Sequence, residues 1–258
     1  MIALDKRLVN RSFGAAAAQY DQHAELQRRV GLELLNRFPP LAQQGLDLGC
    51  GTGFLTQELA SRRPADHWLA IDLALPMLNV CRERLRQSKG VSYLCADAEA
   101  LPLANACADQ VYSNLALQWC QNLPALFGDC RRVLKADGQL VFSSFGPNTL
   151  KELKTAWSHV DDYAHVNEFK SADELMTALS EAGFIDITFE TTVYESAYPT
   201  VMDLMRELKG LGAHNVNSTR KQAPTTPKQL QGMINAYPFR ESTKVVLATY
   251  EVFMVRAQ

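Results

Sequence analysis

The sequence has no long apolar run. Nowhere in its 258 residues do about 18 apolar residues stand together, so no membrane span is expected. It has no basic excess either. With 26 Lys+Arg against 28 Asp+Glu, the net charge is −2 and the pI about 6.2. A general nucleic-acid binder needs a positive field towards phosphates, so nucleic acid is not an expected partner. The six cysteines (Cys50, Cys81, Cys95, Cys107, Cys120 and Cys130) form no C-x-x-C pair, and most lie in apolar stretches. Reduced thiols are expected, not a disulfide framework. The five histidines show neither H-x-x-x-H nor H-E-x-x-H spacing, and no metal site is expected. The N-terminal stretch is unlike a signal peptide, because its short alanine run gives way at once to Tyr20-Asp21-Gln22-His23. There is no low-complexity tract and no internal repeat. What remains is a cytoplasmic globular chain, 47% hydrophobic, of a length that suits one domain carrying an insertion.

The pattern along the chain is an α/β alternation. Residues 15–38 carry Ala24, Leu26, Val30, Leu34 and Leu35 near helical spacing, and Phe38-Pro39-Pro40 ends that helix. Strands are expected at 45–49, 67–72, 91–96, 108–115 and 138–145, with helices at 53–62, 75–87 and 122–134 between them. Strands separated by helices indicate βαβ units and a parallel sheet with helices on both faces. The turn Lys135-Ala136-Asp137-Gly138 should break the chain before the fifth strand. Beyond it, helices are expected at 149–160 and 171–182, and residues 184–195 and 244–255 alternate as strands. The last strand should lie antiparallel at or near the sheet edge. Residues 196–242 form an insertion between these two strands, with a helix at 200–210 and a polar, Pro-rich stretch at 217–228. The charge is uneven: net +2 over residues 1–38, −8 over 39–195 and +3 over 196–242. Two basic appendages therefore flank an acidic core, which suits an anionic partner.

The most informative segment is Leu46-Asp47-Leu48-Gly49-Cys50-Gly51-Thr52-Gly53, which follows the first strand and opens a helix. Its glycines are spaced G-x-G-x-G, not G-x-G-x-x-G, which disfavours a nicotinamide dehydrogenase. An acid immediately before the loop suits a cationic ligand better than a pyrophosphate. Asp72 ends the second strand, where a carboxylate can accept both hydroxyls of a ribose, and Asp97 follows the third strand. An order of acid, glycine loop, acid and acid suits a nucleoside that carries an amino acid and no phosphates, namely S-adenosylmethionine.

On LDLGCGTG, Asp72 and Asp97, the chain resembles the class I S-adenosylmethionine-dependent methyltransferases over residues 40–195. The resemblance implies their Rossmann-like sheet and S-adenosyl-L-homocysteine as the product. It implies that Asp47, Gly49, Gly51 and Gly53 face the methionine end. It places Asp72 on the ribose, Leu73 beside the adenine, Asp97 and Ala98 at the adenine edge, and the backbone of Asn114 and Leu115 near the amino acid moiety. Three further segments resemble the malonyl-acyl-carrier protein O-methyltransferases of biotin synthesis: residues 17–27 (AAQYDQHAELQ), 113–120 (SNLALQWC) and 206–215 (RELKGLGAHN). This implies one methyltransferase domain, 1–258. A helical cap (1–38), a cofactor-binding core (39–195), a substrate-covering insertion (196–242) and a final strand (243–258) would divide it.

Under that resemblance the acceptor is the free carboxylate of malonyl on an acyl-carrier protein or coenzyme A. Some relatives methylate small tricarboxylates such as aconitate, and a non-catalytic S-adenosylmethionine-binding scaffold is an alternative of another class. Tyr20 and Gln27, seven residues apart on one helix face, should close over the cofactor. Gln118 and Trp119 lie where such enzymes bind acceptors. A buried carboxylate needs a cation, for which Arg206 is the first candidate. Lys209 suits the phosphate of the phosphopantetheine arm, and His214 a donor to the acceptor carboxylate. Tyr20, Arg206 and His214 are thus the candidates at the reacting centre, with Arg220, Lys221 and Lys228 as outer steering charges.

Overall fold

A computed structural model describes residues 5–63, 66–213, 224–240 and 245–258. Its centre is a sheet of seven strands in the order β3-β2-β1-β4-β5-β8-β6, with a two-residue strand, β7 (Phe239–Arg240), paired to β8. β1 (Gln44–Leu48), β2 (His67–Asp72), β3 (Val91–Cys95), β4 (Ala108–Asn114) and β5 (Leu134–Phe145) run parallel. β8 (Val245–Ala257) runs antiparallel between β5 and the edge strand β6 (Ile187–Tyr198), so it lies one position in from the edge. The strand order reverses between β1 and β4, and in open α/β sheets a crevice forms there, outside the strand C-termini.

The alternation along each strand splits the core into two layers. On one face, Trp68, Tyr112 and Val141 pack with Leu34 and Leu35 of α3 (Glu25–Arg37), Leu59 of α4 (Phe54–Arg62) and Leu153 of α7 (Lys151–Ser158). Leu204 of α9 (Val201–Gly210) and Met233 of α10 (Pro227–Ala236) join the same cluster. On the other face, Leu48, Val111 and Phe142 pack with Phe127 and Cys130 of α6 (Leu123–Val133) and Leu179 of α8 (Ala172–Glu181). Helix α5 (Leu75–Arg84) buries Leu78 and Cys81 against Ala70 and Cys50. Among the described residues, no helix is long and apolar enough to cross a membrane.

Three expectations change. The single helix at 15–38 is α2 (Tyr20–His23) and α3, joined at Ala24 (φ −92°, ψ 34°), with a separate α1 (Lys6–Ala16) before them. Residues 135–138 do not end a strand. They are an irregularity within β5, whose register to β4 jumps from Ala108↔Leu134 to Gln110↔Gln139. Of the polar, Pro-rich stretch, residues 217–223 lie outside the described residues, and its end opens α10, where Thr226 and Gln229 form a capping box and Pro227 starts the first turn.

Candidate active site

The C-terminal ends of β1 to β5 are hollow. A cleft of about 120 Å³ is lined by Gly49 and Gly51, Asp72 and Leu73, Asp97 and Ala98, and Asn114 to Leu117. A smaller hollow of about 50 Å³ adjoins it, sharing Tyr20, Gly49, Gly51 and Asn114 and reaching Asp47 and Gln27. Beside both lies a chamber of about 480 Å³, bounded by the β5–α7 connection, α7 and α9. The chamber shares Trp119 with the cleft and Gln27 with the hollow.

The loop after β1 is held by its backbone. Gly49 and Gly53 have φ of 70° and 84°, where L side chains are strained, and a Cβ would come within 2.3 Å of the Ala116 Cβ at Gly49 and 2.5 Å of the Cys81 Sγ at Gly53. At Gly51 a Cβ would meet nothing within 4 Å, so it would project into open space. Asp72 fixes this turn. One carboxylate oxygen accepts the Gly51 N–H at 2.9 Å, and the other accepts the Ala74 N–H at 2.7 Å.

Asp47 is buried. Its Oδ2 accepts the Thr56 hydroxyl at 2.6 Å, while its Oδ1 has no partner. Burial pushes its carboxyl up to about 7, against the Thr56 hydrogen bond and with help from the Asp72 charge. The Oε1 of Gln27 is likewise buried without a partner. These orphaned acceptors, with the open space beside Gly51, fit the ammonium and backbone of an amino acid; Asp72 at its strand end fits a ribose. The residues present therefore suit S-adenosylmethionine.

At the end of β4, Leu115 adopts φ 48°, a strained value for a residue with a side chain. It is held there because its N–H donates to the Ser143 Oγ at 3.0 Å, and that hydroxyl donates to the Asn114 Oδ1 at 2.8 Å. Asn114 in turn donates to the Gln27 carbonyl at 2.8 Å, which ties α3 to the cleft.

Tyr20 lines the cleft from α2, so it shares no helix with Gln27. Burial first, then the Asp72 and Asp21 carboxylates, push its phenol well above the usual tyrosine range. Asp97 meets Lys6 of α1 at 2.5 Å, and Lys6 also reaches Glu99 at 2.7 Å. Gln118 turns its amide back to the Leu115 carbonyl at 2.6 Å and is not among the residues lining the cleft or the chamber. Trp119 stands between the two spaces. Arg206 lines the chamber, but its guanidinium is bound to Asp203 and its side chain is 67% exposed, which puts it at the mouth and not inside. Lys209 also lines the chamber from an exposed position. Lys228 is exposed on α10. His214, Arg220 and Lys221 lie outside the described residues. Among those described, no group of three or more His, Cys, Asp or Glu could hold a metal ion, and all six cysteines are free.

Several site residues escaped the sequence. Lys6, Val9 and Phe13 of α1 line the cleft, and Phe13 packs edge-on against Trp119 at 5.1 Å. Asp5 caps α1 by accepting the Arg7 N–H, and this Asp just before a helical run was the available signal. Asp21 accepts the Thr52 hydroxyl at 2.7 Å and pairs with Arg84, so it fastens α2 to the glycine loop and to α5. Ser143 and His165 gave no local signal.

The methyltransferase domain family profile matches residues 46–142. A malonyl-acyl-carrier protein O-methyltransferase of Methylococcus capsulatus is 40% identical over 96% of this chain and 92% of its own length. A biotin biosynthesis bifunctional protein of Cellvibrio japonicus is 41% identical over 97% of this chain. The chain spans about half the length of that bifunctional relative. Among solved structures, a methyltransferase-like protein of Bacillus halodurans aligns with TM-score 0.64 at 18% identity, covering 88% of this chain and 97% of its own. A phosphoethanolamine N-methyltransferase of Haemonchus contortus, solved with S-adenosyl-L-methionine, aligns with TM-score 0.59 at 18% identity, covering 95% of this chain and 57% of its own. The sheet is thus the class I methyltransferase fold. With the full-length likeness added to the geometry of the cleft, the chain belongs to the malonyl-acyl-carrier protein O-methyltransferase family.

Proposed function

We propose that this chain transfers a methyl group from S-adenosylmethionine to the free carboxylate of a malonyl thioester, carried on acyl-carrier protein or coenzyme A. The product would be the malonyl methyl ester that primes pimelate and biotin synthesis. The observation that carries this reading is the meeting of the cleft with the chamber at Trp119, and of the adjoining hollow with the chamber at Gln27, in a chain alike to its relatives over nearly its whole length.

S-Adenosylmethionine, when bound, supplies a methyl group already activated by a sulfonium. Asp47 would hold its ammonium, Asp72 its ribose, and Leu73, Asp97 and Ala98 would border the adenine. The acceptor carboxylate has a reference pKa near ~4 and is ionised at neutral pH, so no side chain has to remove a proton. Tyr20 accords with this, because a phenol pushed up by burial stays protonated and does not serve as a base. The chain's task is alignment and exclusion of water. Residues 1–38 act as the cap, with Phe13 and Tyr20 over the cofactor. Residues 196–242 act as the cover of the acceptor, with Arg206 and Lys209 at the mouth to meet the phosphate and an acidic carrier. His214 is proposed as a further donor from the same insertion.

Methyl transfer from labelled S-adenosylmethionine tests this directly. Malonyl-acyl-carrier protein should be methylated at its carboxylate far faster than trans-aconitate. The reverse order would replace the malonyl thioester with a free small carboxylic acid, and no transfer to either would leave a binding scaffold.

A further inference from the structure

The chamber poses a problem of charge. Its wall is largely apolar, with Leu26, Phe145, Leu150, Leu153 and Met205 among its residues, and a carboxylate entering it unpaired is strongly disfavoured. Among the described residues, three on this wall can carry positive charge: Arg206, Lys209 and His165. The first two are exposed, and Arg206 is already engaged with Asp203. His165 differs. Its side chain is only 12% exposed, its ring lies flat on Trp157 at 3.7 Å and 7° between planes, and its Nε2 is 2.7 Å from the Asp161 Oδ1. The other Asp161 oxygen accepts the Gln229 amide at 3.2 Å, so α10 helps to hold the carboxylate that holds the ring. Asp161 can only accept when ionised, which makes Nε2 the donor. The Nδ1 has no hydrogen-bond partner among the described residues, on a side chain that lines the chamber.

We propose that His165 receives the acceptor carboxylate in the chamber through its Nδ1, and that it selects the free acid over the methyl ester. This rests on the carboxyl-methylating reading above. As an imidazolium the ring donates from both nitrogens, one to Asp161 and one to the acceptor. A single donor suits this chemistry better than a guanidinium fork. Bidentate pairing would occupy both carboxylate oxygens and stabilise an anion whose charge disappears as the ester forms, so it would favour the ground state over the transition state. One hydrogen bond leaves the second oxygen free to react. The neutral ester then has less to hold it than the acid had, which favours product release.

Calorimetry on the full chain loaded with S-adenosylhomocysteine tests the assignment without turnover, using malonyl-pantetheine and its methyl ester as the two probes. The wild type should bind the acid at least about tenfold more tightly than the ester. In His165→Gln that preference should fall towards unity while S-adenosylhomocysteine affinity stays unchanged. Asp161→Asn keeps the ring and its Trp157 stack, and it should also lower the preference; it serves as the test if His165→Gln does not fold. A merely structural His165 would weaken both probes alike and leave the ratio intact, which would overturn the proposal. Equal binding of acid and ester by the wild type would overturn it too. Wild-type binding of S-adenosylhomocysteine but of neither probe would instead remove the malonyl reading, and this inference with it.

Discussion

The cleft and the chamber meet at Trp119, and the small hollow meets the chamber at Gln27, but the two larger spaces are built in different ways. The cleft is made largely from the ends of parallel strands, and backbone N–H groups set its polar residues, as Gly51 and Ala74 set Asp72. The chamber is made mainly from α3, α7, α9 and the β5–α7 connection, and its polar residues are set by other side chains, as Asp161 sets His165 and Asp203 sets Arg206. A site fixed by main chain places narrow demands on a short run of sequence. A site fixed by pairs between distant side chains spreads its demands along the chain.

Breaking the cleft at its backbone anchor should have the largest effect. Asp72→Ala removes the expected ribose acceptor and frees the Gly51 N–H, and S-adenosylmethionine affinity should fall by about 1.5–3 kcal/mol. Calorimetry showing no change would take Asp72 out of the site.

Asp47 makes the hollow beside the cleft sensitive to pH. Burial holds its folded-state pKa at about 7, above the usual carboxylate value. The unliganded fold therefore keeps this proton more tightly than the unfolded chain does, and the stability linked to it is lost as pH rises towards 7. Ligand binding has the opposite sign, because the ammonium needs the ionised form. Affinity for S-adenosylmethionine should drop about tenfold from pH 8 to pH 6, with proton release on binding. Asp47→Asn should bind more weakly at pH 8 and show a flattened profile. A wild-type affinity independent of pH over this range would show that Asp47 does not hold the ammonium.

A smaller effect is expected from the cap. Phe13→Ala removes the edge-on contact with Trp119. Such aromatic pairs contribute about 0.5–1.5 kcal/mol, so the dissociation constant for S-adenosylhomocysteine should rise a few-fold. An unchanged constant would mean that α1 is not part of the cofactor site.

The same contrast explains what the sequence revealed. Alternating strands and helices, the LDLGCGTG turn and the acids at strand ends are local patterns, and they made the sheet legible. Helix α1 was missed because its apolar stripe is short, and Val9 and Phe13 find their cover only in the folded molecule. The Lys135–Gly138 turn signal was real, but it appears as a local irregularity because pairing with β4 resumes at Gln139. Helix α10 was legible in Thr226-Pro227-Lys228-Gln229, where proline opens a helix and does not end one. Arg206 was placed inside because of its charge, yet Asp203, one turn earlier, holds it at the mouth. His165 could not be found at all, since its meaning depends on Trp157, Asp161 and a cavity that exists only after folding.

Under the proposed function, an acceptor carboxylate meets the cofactor where cleft and chamber join. A crystal structure of the full chain with S-adenosylhomocysteine and malonyl-pantetheine tests it most directly. The nucleoside should lie between Asp72 and Asp97, with the pantetheine arm running out past Arg206 and the malonyl group within the chamber against His165. A malonyl group bound outside that chamber, or a nucleoside away from Asp72, would contradict it.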